Sequence, residues 1–289
     1  MAIWGFNFVA LKLVLVEMSA PASALVRGLL MYGVLLGICR WRGISLKFPP
    51  GTFWRINLQG FLAMGLYMML FVEGMREATP AEGAIILGCG PVFTLLIACL
   101  AGQETFKWSI LGGTLFAFVG VGLVVGFSPS VLASEGLLLG HFLLLASAFV
   151  WAGATVVSRP IVAKVDPLQM LTLSMPAGLL ALMPYGLIAT ARTPWADLTL
   201  TAWAMMGYFA IAAGVIGFML FYRGVQQVGA SGAMLYQYLV SPLAAISGYF
   251  VLRAGLHPLQ LVGLVIVLGG VALANLARQK HGTGVSPVE

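Results

Sequence analysis

Long apolar runs recur along the whole chain and are separated by short polar joints. Hydrophobic residues fill 61% of the 289 positions, charged residues fill only 8%, and the mean hydropathy is +1.01. A water-soluble domain is about half apolar and about one quarter charged. Because a helix needs about 20 apolar residues to cross the hydrocarbon core of a bilayer, the sequence predicts an all-α integral membrane protein.

Ten of these runs have roughly the length of a membrane span. Proline, glycine and a few charged residues mark most of the joints between them. The predicted transmembrane helices lie near residues 1–16, 22–39, 56–75, 80–102, 108–127, 136–158, 168–191, 200–222, 230–252 and 258–277.

Short segments of the first half recur in the second half at an offset of about 150 residues. The matching pairs are Trp4–Lys12 with Trp151–Arg159, Phe71–Gly74 with Phe221–Gly224, Pro91 with Pro242, and Gly113–Leu123 with Gly263–Leu273. The predicted units are residues 1–128 and 136–278, followed by a polar tail at 279–289. Five spans are an odd number, so the second unit is inverted in the membrane, an arrangement typical of transporters around a central cavity.

The basic residues predict the orientation. With a cytoplasmic N-terminus, ten of the fifteen lysines and arginines fall on the inner side, which favours two cytoplasmic termini in a bacterial-type inner membrane. The first span is about ten residues shorter at its start than its counterpart before Trp151, and we expect no cleavable signal peptide. The inner cations are Arg40, Arg42, Lys47, Arg55, Lys107, Arg159, Lys164, Arg223, Arg278 and Lys280.

Composition and motifs argue against several other classes. No Lys/Arg cluster is dense enough for nucleic acid, and the three cysteines lack metal-ligand spacing. The G-x-S-G sequence around Ser231 resembles that of a rhomboid-type protease, but that chemistry needs a histidine at membrane depth, and His257 falls in a loop. We therefore expect no enzyme, cofactor or metal, and the expected partners are a small-molecule substrate and the lipid bilayer, with the chain a monomer or weak homodimer.

Four segments of the first half, with echoes in the second half, form an ordered set of motifs: "WGFNFVALK", "PASALVRGLL", "ATPAEGAIILGCGPVFTLL" and "GQETFKWSILGGTLFAFVGVGL". Taken in order, they resemble the drug/metabolite transporter superfamily in its EamA-type ten-helix branch. The resemblance covers nearly the whole chain and implies export of amino acids or other small metabolites. The aromatic amino-acid exporter branch is one group to which the resemblance points. Glu104 fits a family glutamate before the fifth helix, whereas its counterpart near Ala254 is not acidic.

Two proline-containing segments predict breaks in the fourth and ninth spans. Proline inside a helix removes one backbone hydrogen bond, and broken backbone at membrane depth is tolerated where it faces protein or a cavity. We expect these breaks to line the central cavity and to act in gating, the alternative being kinks that only shape packing. The residues concerned are Gly88, Gly90, Pro91 and Pro242.

Aromatic and neutral polar side chains near the breaks are the candidate substrate contacts. An aromatic wall with a few polar groups suits small amphipathic solutes, although each aromatic residue could instead face lipid or pack between helices. The candidates are Trp151, Asn7, Trp4, Tyr67, Thr155, Tyr236, Gln237, Tyr238 and Ser241.

Two cations, Lys12 and Arg27, lie toward the predicted outer ends of their spans. One interpretation is snorkelling to the interface. The other is a gating role, in which the cation pairs with a substrate carboxylate or with Glu17 or Glu82. The resemblance favours the second for Arg27, which fits the family's arginine in the second helix.

No acidic residue falls at the centre of a predicted span, whereas proton-coupled carriers commonly place one there. The sequence therefore predicts a facilitative exporter that works by alternating access. Alternatives are a pore-type channel for small neutral solutes, a proton-coupled antiporter and a non-transporting scaffold. A channel would need a continuous polar lining, for which the polar residues are sparse.

Overall fold

The computed structural model describes residues 1–105, 108–109, 111–113, 115–116, 119–120, 135–253 and 258–280, and all regular structure in these residues is helical. Short 3₁₀ segments lie at Trp195–Asp197 and Tyr236–Leu239. The helices are α1 (Ala2–Glu17), α2 (Ala20–Trp41), α3 (Phe53–Glu77), α4 (Pro80–Leu87), α5 (Gly90–Leu100), α6 (Glu135–Val162), α7 (Pro167–Ala191), α8 (Leu200–Val228), α9 (Ala230–Leu235), α10 (Val240–Leu252) and α11 (Pro258–Lys280).

Five of these helices are long and apolar enough to cross a membrane, namely α2, α3, α7, α8 and the Leu138–Val162 part of α6. Shorter apolar helices are α5 and the Leu261–Gly270 part of α11. The predicted all-helical membrane fold is confirmed at this level. Most of the predicted span at 108–127 lies outside the described residues, so the count of ten remains a prediction.

Two predicted spans are interrupted rather than continuous. The run at 80–102 forms α4 and α5, which are separated at Gly88–Cys89, where the Cys89 N–H donates to the carbonyl of Ile86 at 3.0 Å. The run at 230–252 forms α9, the 3₁₀ segment and α10. Each break directly precedes a helix whose first turn contains a proline, where a missing N–H costs no helical hydrogen bond.

The long helices α3 and α8 each contain a π-helical segment. These segments are Phe61–Leu66 and Tyr208–Gly217, again about 150 residues apart. A π segment shifts the backbone hydrogen-bond register and is frequent at functional sites. The same two departures from regular helix, a π segment and then a break, therefore occur in the same order in both halves of the chain.

Helices from the two halves interdigitate. Helix α2 packs most extensively on α7, α3 packs on α6 and α7, and α1 packs on α10. The largest buried cluster contains residues from both halves, among them Phe8, Met68, Trp151 and Phe218. The apolar core is therefore formed between the halves and is shared by them.

The crossing of α3 and α7 requires glycine. A Cβ at Gly60 would overlap the backbone carbonyl oxygen of Ser174. At Gly33, on α2, a Cβ would meet no atom within 4 Å. The two helical glycines therefore provide a matched pair for testing this crossing.

We expect Gly60→Ala to lower the thermal unfolding temperature in detergent, although alanine has the higher helix propensity. Overpacking against backbone costs about 1–3 kcal/mol. Gly33→Ala is the control and should leave the temperature unchanged or slightly raised. Fluorescence-detected gel filtration after heating measures the unfolding temperatures. Equal temperatures for the two variants would contradict the close crossing.

Candidate functional site

A small cavity lies where α1, α2, α3, α6 and α8 meet the interrupted helices. Six of the residues singled out in the sequence line it together: Trp4, Asn7, Arg27, Tyr67, Trp151 and Gln237. The rest of the lining consists of Phe8, Met68, Phe71, Leu87, Phe209, Ala213, Phe218 and Val240. The site thus combines an aromatic and methionine wall with three polar side chains.

Trp151 is the centre of the aromatic cluster. It is 2% exposed, and its ring centroid lies 5.0 Å from that of Phe221, 5.2 Å from Tyr67 and 5.3 Å from Phe218. The Trp4 ring meets it edge-on at 6.0 Å. These separations fall in the range in which aromatic pairs attract beyond their buried area, so the rings form one connected unit.

Both indole N–H groups are held by hydrogen bonds. Trp151 Nε1 donates to Gln237 Oε1 at 3.2 Å, and Trp4 Nε1 donates to the carbonyl of Ala213 at 3.0 Å. Gly217 leaves room for the Trp4 ring, which a Cβ there would overlap. The orientation of both tryptophans is therefore set by the break before α10 and by the π segment of α8.

Arg27 is buried beside this cluster and does not snorkel to the interface. The residue is only 3% exposed, and its Nε donates to the carbonyl of Phe209 at 3.1 Å. The guanidinium carbon lies 4.5 Å from the Phe209 ring centroid and 5.5 Å from that of Phe218. Arg27 does lie in the first half of α2, but aromatic faces and a π-segment carbonyl hold its guanidinium in the cavity, so the snorkelling interpretation does not apply to it.

Asn7 supplies the complementary polar group. It is 7% exposed and lines the same cavity, and its Oδ1 atom has no hydrogen-bond partner among the described residues. A buried carbonyl without a donor carries a desolvation cost. The cavity therefore presents one cationic donor, Arg27, and one free acceptor, Asn7 Oδ1, within an aromatic wall.

Both helix breaks border the cavity. Leu87, the last residue of α4, and Val240, the first residue of α10, are lining residues. Gly90, just after the first break, faces Met234 of α9, because a Cβ added there would lie 2.7 Å from the methionine Cε. The two interruptions thus meet the site from opposite halves of the chain.

In this conformation the cavity is too small for a substrate, and in this sense it is closed. Its free volume is about 30 Å³, which is room for about two water molecules. An amino acid would need the aromatic rings or the helices that carry them to move apart. The site is therefore shaped for a substrate that it can admit only after a conformational change.

Three candidate contacts, Thr155, Tyr236 and Tyr238, do not line this cavity. Thr155 is buried one turn from Trp151, where its hydroxyl donates to the Trp151 carbonyl at 2.8 Å. Tyr238 packs with Cys89 and Val267, and Tyr236, 53% exposed, faces a second cavity of about 290 Å³ beyond Trp4 and Phe221. The side chains of Ser241 and Pro242 lie outside the described residues.

Lys12 lies away from the cavity. Its Nζ donates to the Arg76 carbonyl at 2.8 Å, at the end where α3 finishes. Lys12 and Arg27, grouped together by the sequence, therefore occupy different environments, one at a helix end and one in the aromatic cavity.

Several lining residues were not among the sequence candidates, notably Phe8, Phe71 and Phe209. Two of them carried a usable signal, because Phe8 and Phe71 follow Trp4 and Tyr67 by four positions and so share their helix faces. Phe209 carried none, since its carbonyl acts within a π segment that the sequence pattern does not reveal.

These features define a multi-pass membrane protein with a closed amphipathic cavity between interrupted helices, the arrangement of a carrier. The model of the EamA-like transporter family matches residues 1–126 and 138–276. The chain therefore belongs to the EamA-like transporter family.

Curated relatives are transporters as well. The chain is 25% identical over 227 residues to the uncharacterised transporter YyaM of Bacillus subtilis, covering 76% of this chain and 74% of that protein. It is 26% identical over 278 residues to a probable terminal-alkyne amino-acid exporter of Streptantibioticus cattleyicolor, covering 94% and 85%. A solved crystal structure shares the fold with a TM-score of 0.74 at 18% identity, covering 96% and 94% of the two chains.

We expect Trp151→Phe and Trp151→Ala to differ sharply in stability. The phenylalanine keeps most of the ring contacts and loses the Gln237 hydrogen bond, at a cost of about 1 kcal/mol. The alanine leaves a void at the centre of the cluster and costs about 3–5 kcal/mol. Thermal unfolding in detergent checks this order of stability. Equal losses of stability in the two variants would contradict the central packing role of Trp151. If the expected order is found, only Trp151→Phe is suitable for transport assays.

Proposed function

We propose that the protein exports α-amino acids with aromatic or other apolar side chains, by alternating access. The observation that carries this proposal is that Arg27 and the free Oδ1 of Asn7 both belong to one aromatic cavity. An amino acid carries a carboxylate, an ammonium group and a side chain. The cavity offers a partner of matching chemistry for each of the three.

Arg27 is assigned to the substrate carboxylate. Among the described residues no carboxylate forms an ion pair with it. Its guanidinium instead contacts a backbone carbonyl, a methionine sulfur at 3.6 Å and two phenylalanine rings. A buried guanidinium without a carboxylate is costly, and its fork of donors matches a carboxylate in geometry.

Asn7 Oδ1 and the tryptophan rings are assigned to the substrate ammonium and side chain. The amide oxygen can accept from the ammonium, and the faces of Trp4 and Trp151 attract cations and stack on aromatic groups. Gln237 and Tyr67 complete the proposed contacts. That a relative is named as a probable amino-acid exporter supports the same substrate class.

Alternating access is supported by the closed cavity and by the breaks on either side of it. Gly88, Gly90, Pro91 and Pro242 would act as hinges, since a broken backbone turns without rupturing a continuous helix. The recurrence of a π segment and a break in both halves supports two inverted five-helix units. The proposed setting is a bacterial-type inner membrane, with both termini cytoplasmic.

The proposed transport is downhill, because the described cavity lining contains no acidic side chain or histidine. A channel is disfavoured because it would need a continuous polar lining, whereas the described lining of this cavity is largely aromatic. Flux should therefore saturate and show counterflow without an imposed proton gradient.

The test is counterflow of labelled phenylalanine in proteoliposomes, with three unlabelled competitors. Phenylalanine should compete at least about tenfold better than phenylethylamine, which lacks the carboxylate, or 3-phenylpropionate, which lacks the ammonium, since each loses a charged hydrogen bond. Arg27→Met should abolish discrimination against phenylethylamine and lower flux at least about tenfold. Asn7→Leu should instead abolish discrimination against 3-phenylpropionate.

Arg223→Met is the matched control, because Arg223 is an exposed cation on α8 outside the cavity lining. It should keep flux and both discriminations. Saturable flux that survives Arg27→Met with its discrimination intact would overturn the assignment of Arg27, and absence of counterflow for a full amino-acid panel would overturn the substrate class.

A further inference from the structure

A second group of titratable side chains is buried away from the cavity, at the end of the bundle where α1 finishes and α4 and α6 begin. Glu82 lies in the first turn of α4 and is 0% exposed, and His141 lies near the start of α6 and is 6% exposed. His141 Nε2 is 3.8 Å from Glu82 Oε2. The mechanism proposed above does not use either residue.

The carboxylate of the pair is anchored by hydrogen bonds at the start of α4. Glu82 Oε2 accepts from the Thr79 N–H at 2.8 Å, and the Thr79 hydroxyl accepts from the Glu82 N–H at 3.2 Å, which fixes the carboxylate at the helix start. Neither ring nitrogen of His141 has a hydrogen-bond partner among the described residues. The imidazole thus lies next to an anchored carboxylate without being within hydrogen-bond distance of it.

The charged and titratable neighbours come from three packed helices. On α1, Lys12 interacts electrostatically with Glu77 and Glu82. On α3, Glu77 packs against Gly140, and Arg76 pairs with Glu73 at 2.9 Å. Glu73 also accepts a hydrogen bond from the Tyr185 hydroxyl of α7. Helix α10, which packs on α4, carries no Asp, Glu, Lys, Arg or His, and its Tyr249 is exposed.

We propose that Glu82 and His141 form a proton-binding site that controls the opening of this end of the transporter. The inference rests on the proposed function, in which this end faces outward and must open to release substrate. Its ligand is a proton, and the pair lies between α4 and α6, one helix from each half of the chain. The site regulates flux and does not drive it, because it lies outside the cavity.

The sign of the effect follows from the geometry of the closed end. A neutral His141 leaves a buried N–H without an acceptor, which costs free energy. A protonated His141 forms an ion pair with the carboxylate 3.8 Å away. Since water reaches both groups when the end opens, proton binding favours the closed end, and release of the proton favours opening.

Among the described residues, the counterparts of Lys12 and Glu82 in the second half form a different arrangement. By the repeat, Arg159 corresponds to Lys12, but it donates to the Gln103 carbonyl at 2.6 Å and forms no ion pair among the described residues. Gly232 falls near the position that corresponds to Glu82. The carboxylate of the pair is therefore not repeated at the related position of the second half.

The test measures amino-acid counterflow in proteoliposomes at pH 5.5 and pH 8.0, with the same pH on both faces so that no proton gradient exists. Wild-type flux should fall about tenfold at the lower pH, within the usual range of coupling between sites. His141→Asn and Glu82→Gln should each remove this fall while keeping flux at pH 8.0, which shows that they fold. Glu73→Gln, an acid at the same end with its own partners, should keep the fall.

Hydrogen exchange decides the question without any substrate. After correction for intrinsic rates, amides of Pro80–Leu87 should be better protected at pH 5.5 than at pH 8.0 in the wild type, and equally protected in His141→Asn. A pH response of flux or protection that persists in both His141→Asn and Glu82→Gln, or its absence from the wild type, overturns the proton site. Absence of amino-acid flux with the expected exchange pattern overturns the proposed function alone.

Discussion

The bilayer contains no water to satisfy a backbone N–H or C=O, and the arrangement of this protein depends on that constraint. Regular helix meets it along most of each described span. In the π segment of α8, where the backbone departs from regular α-helix, the carbonyls of Phe209 and Ala213 accept hydrogen bonds from Arg27 and Trp4. The candidate site is therefore found where helical hydrogen bonding is irregular.

The sequence predicted those features that leave a pattern over many residues. Apolar runs located the helices, and the repeat identified Trp4 and Trp151, which meet in one cavity. It failed where local geometry decides: a 3₁₀ turn at Tyr236–Leu239 directs Gln237 into the cavity and Tyr236 and Tyr238 elsewhere. The burial of Arg27 could not be predicted for a related reason, because it depends on the π-segment carbonyl that accepts a hydrogen bond from it.

Charge is sparse in this chain, and three of its buried ionisable side chains have two different tasks in the proposed mechanism. Arg27 lies in the cavity among aromatic rings, whereas Glu82 and His141 lie at one end between helices of different halves. Separating the two keeps the acid from neutralising the arginine. In the proposed mechanism the cation of the cavity can then pair with a substrate anion, and the acid can respond to protons.

The hydrogen bond from Trp4 to the main chain of α8 has an evolutionary consequence. Its acceptor is the carbonyl of residue 213, so exchange of that side chain leaves the bond in place. The tryptophan can therefore keep its pose while neighbouring side chains diverge. Relatives could acquire new cargo preferences through surrounding positions without rebuilding this part of the scaffold, and alanine scanning of α8 would overlook the acceptor altogether.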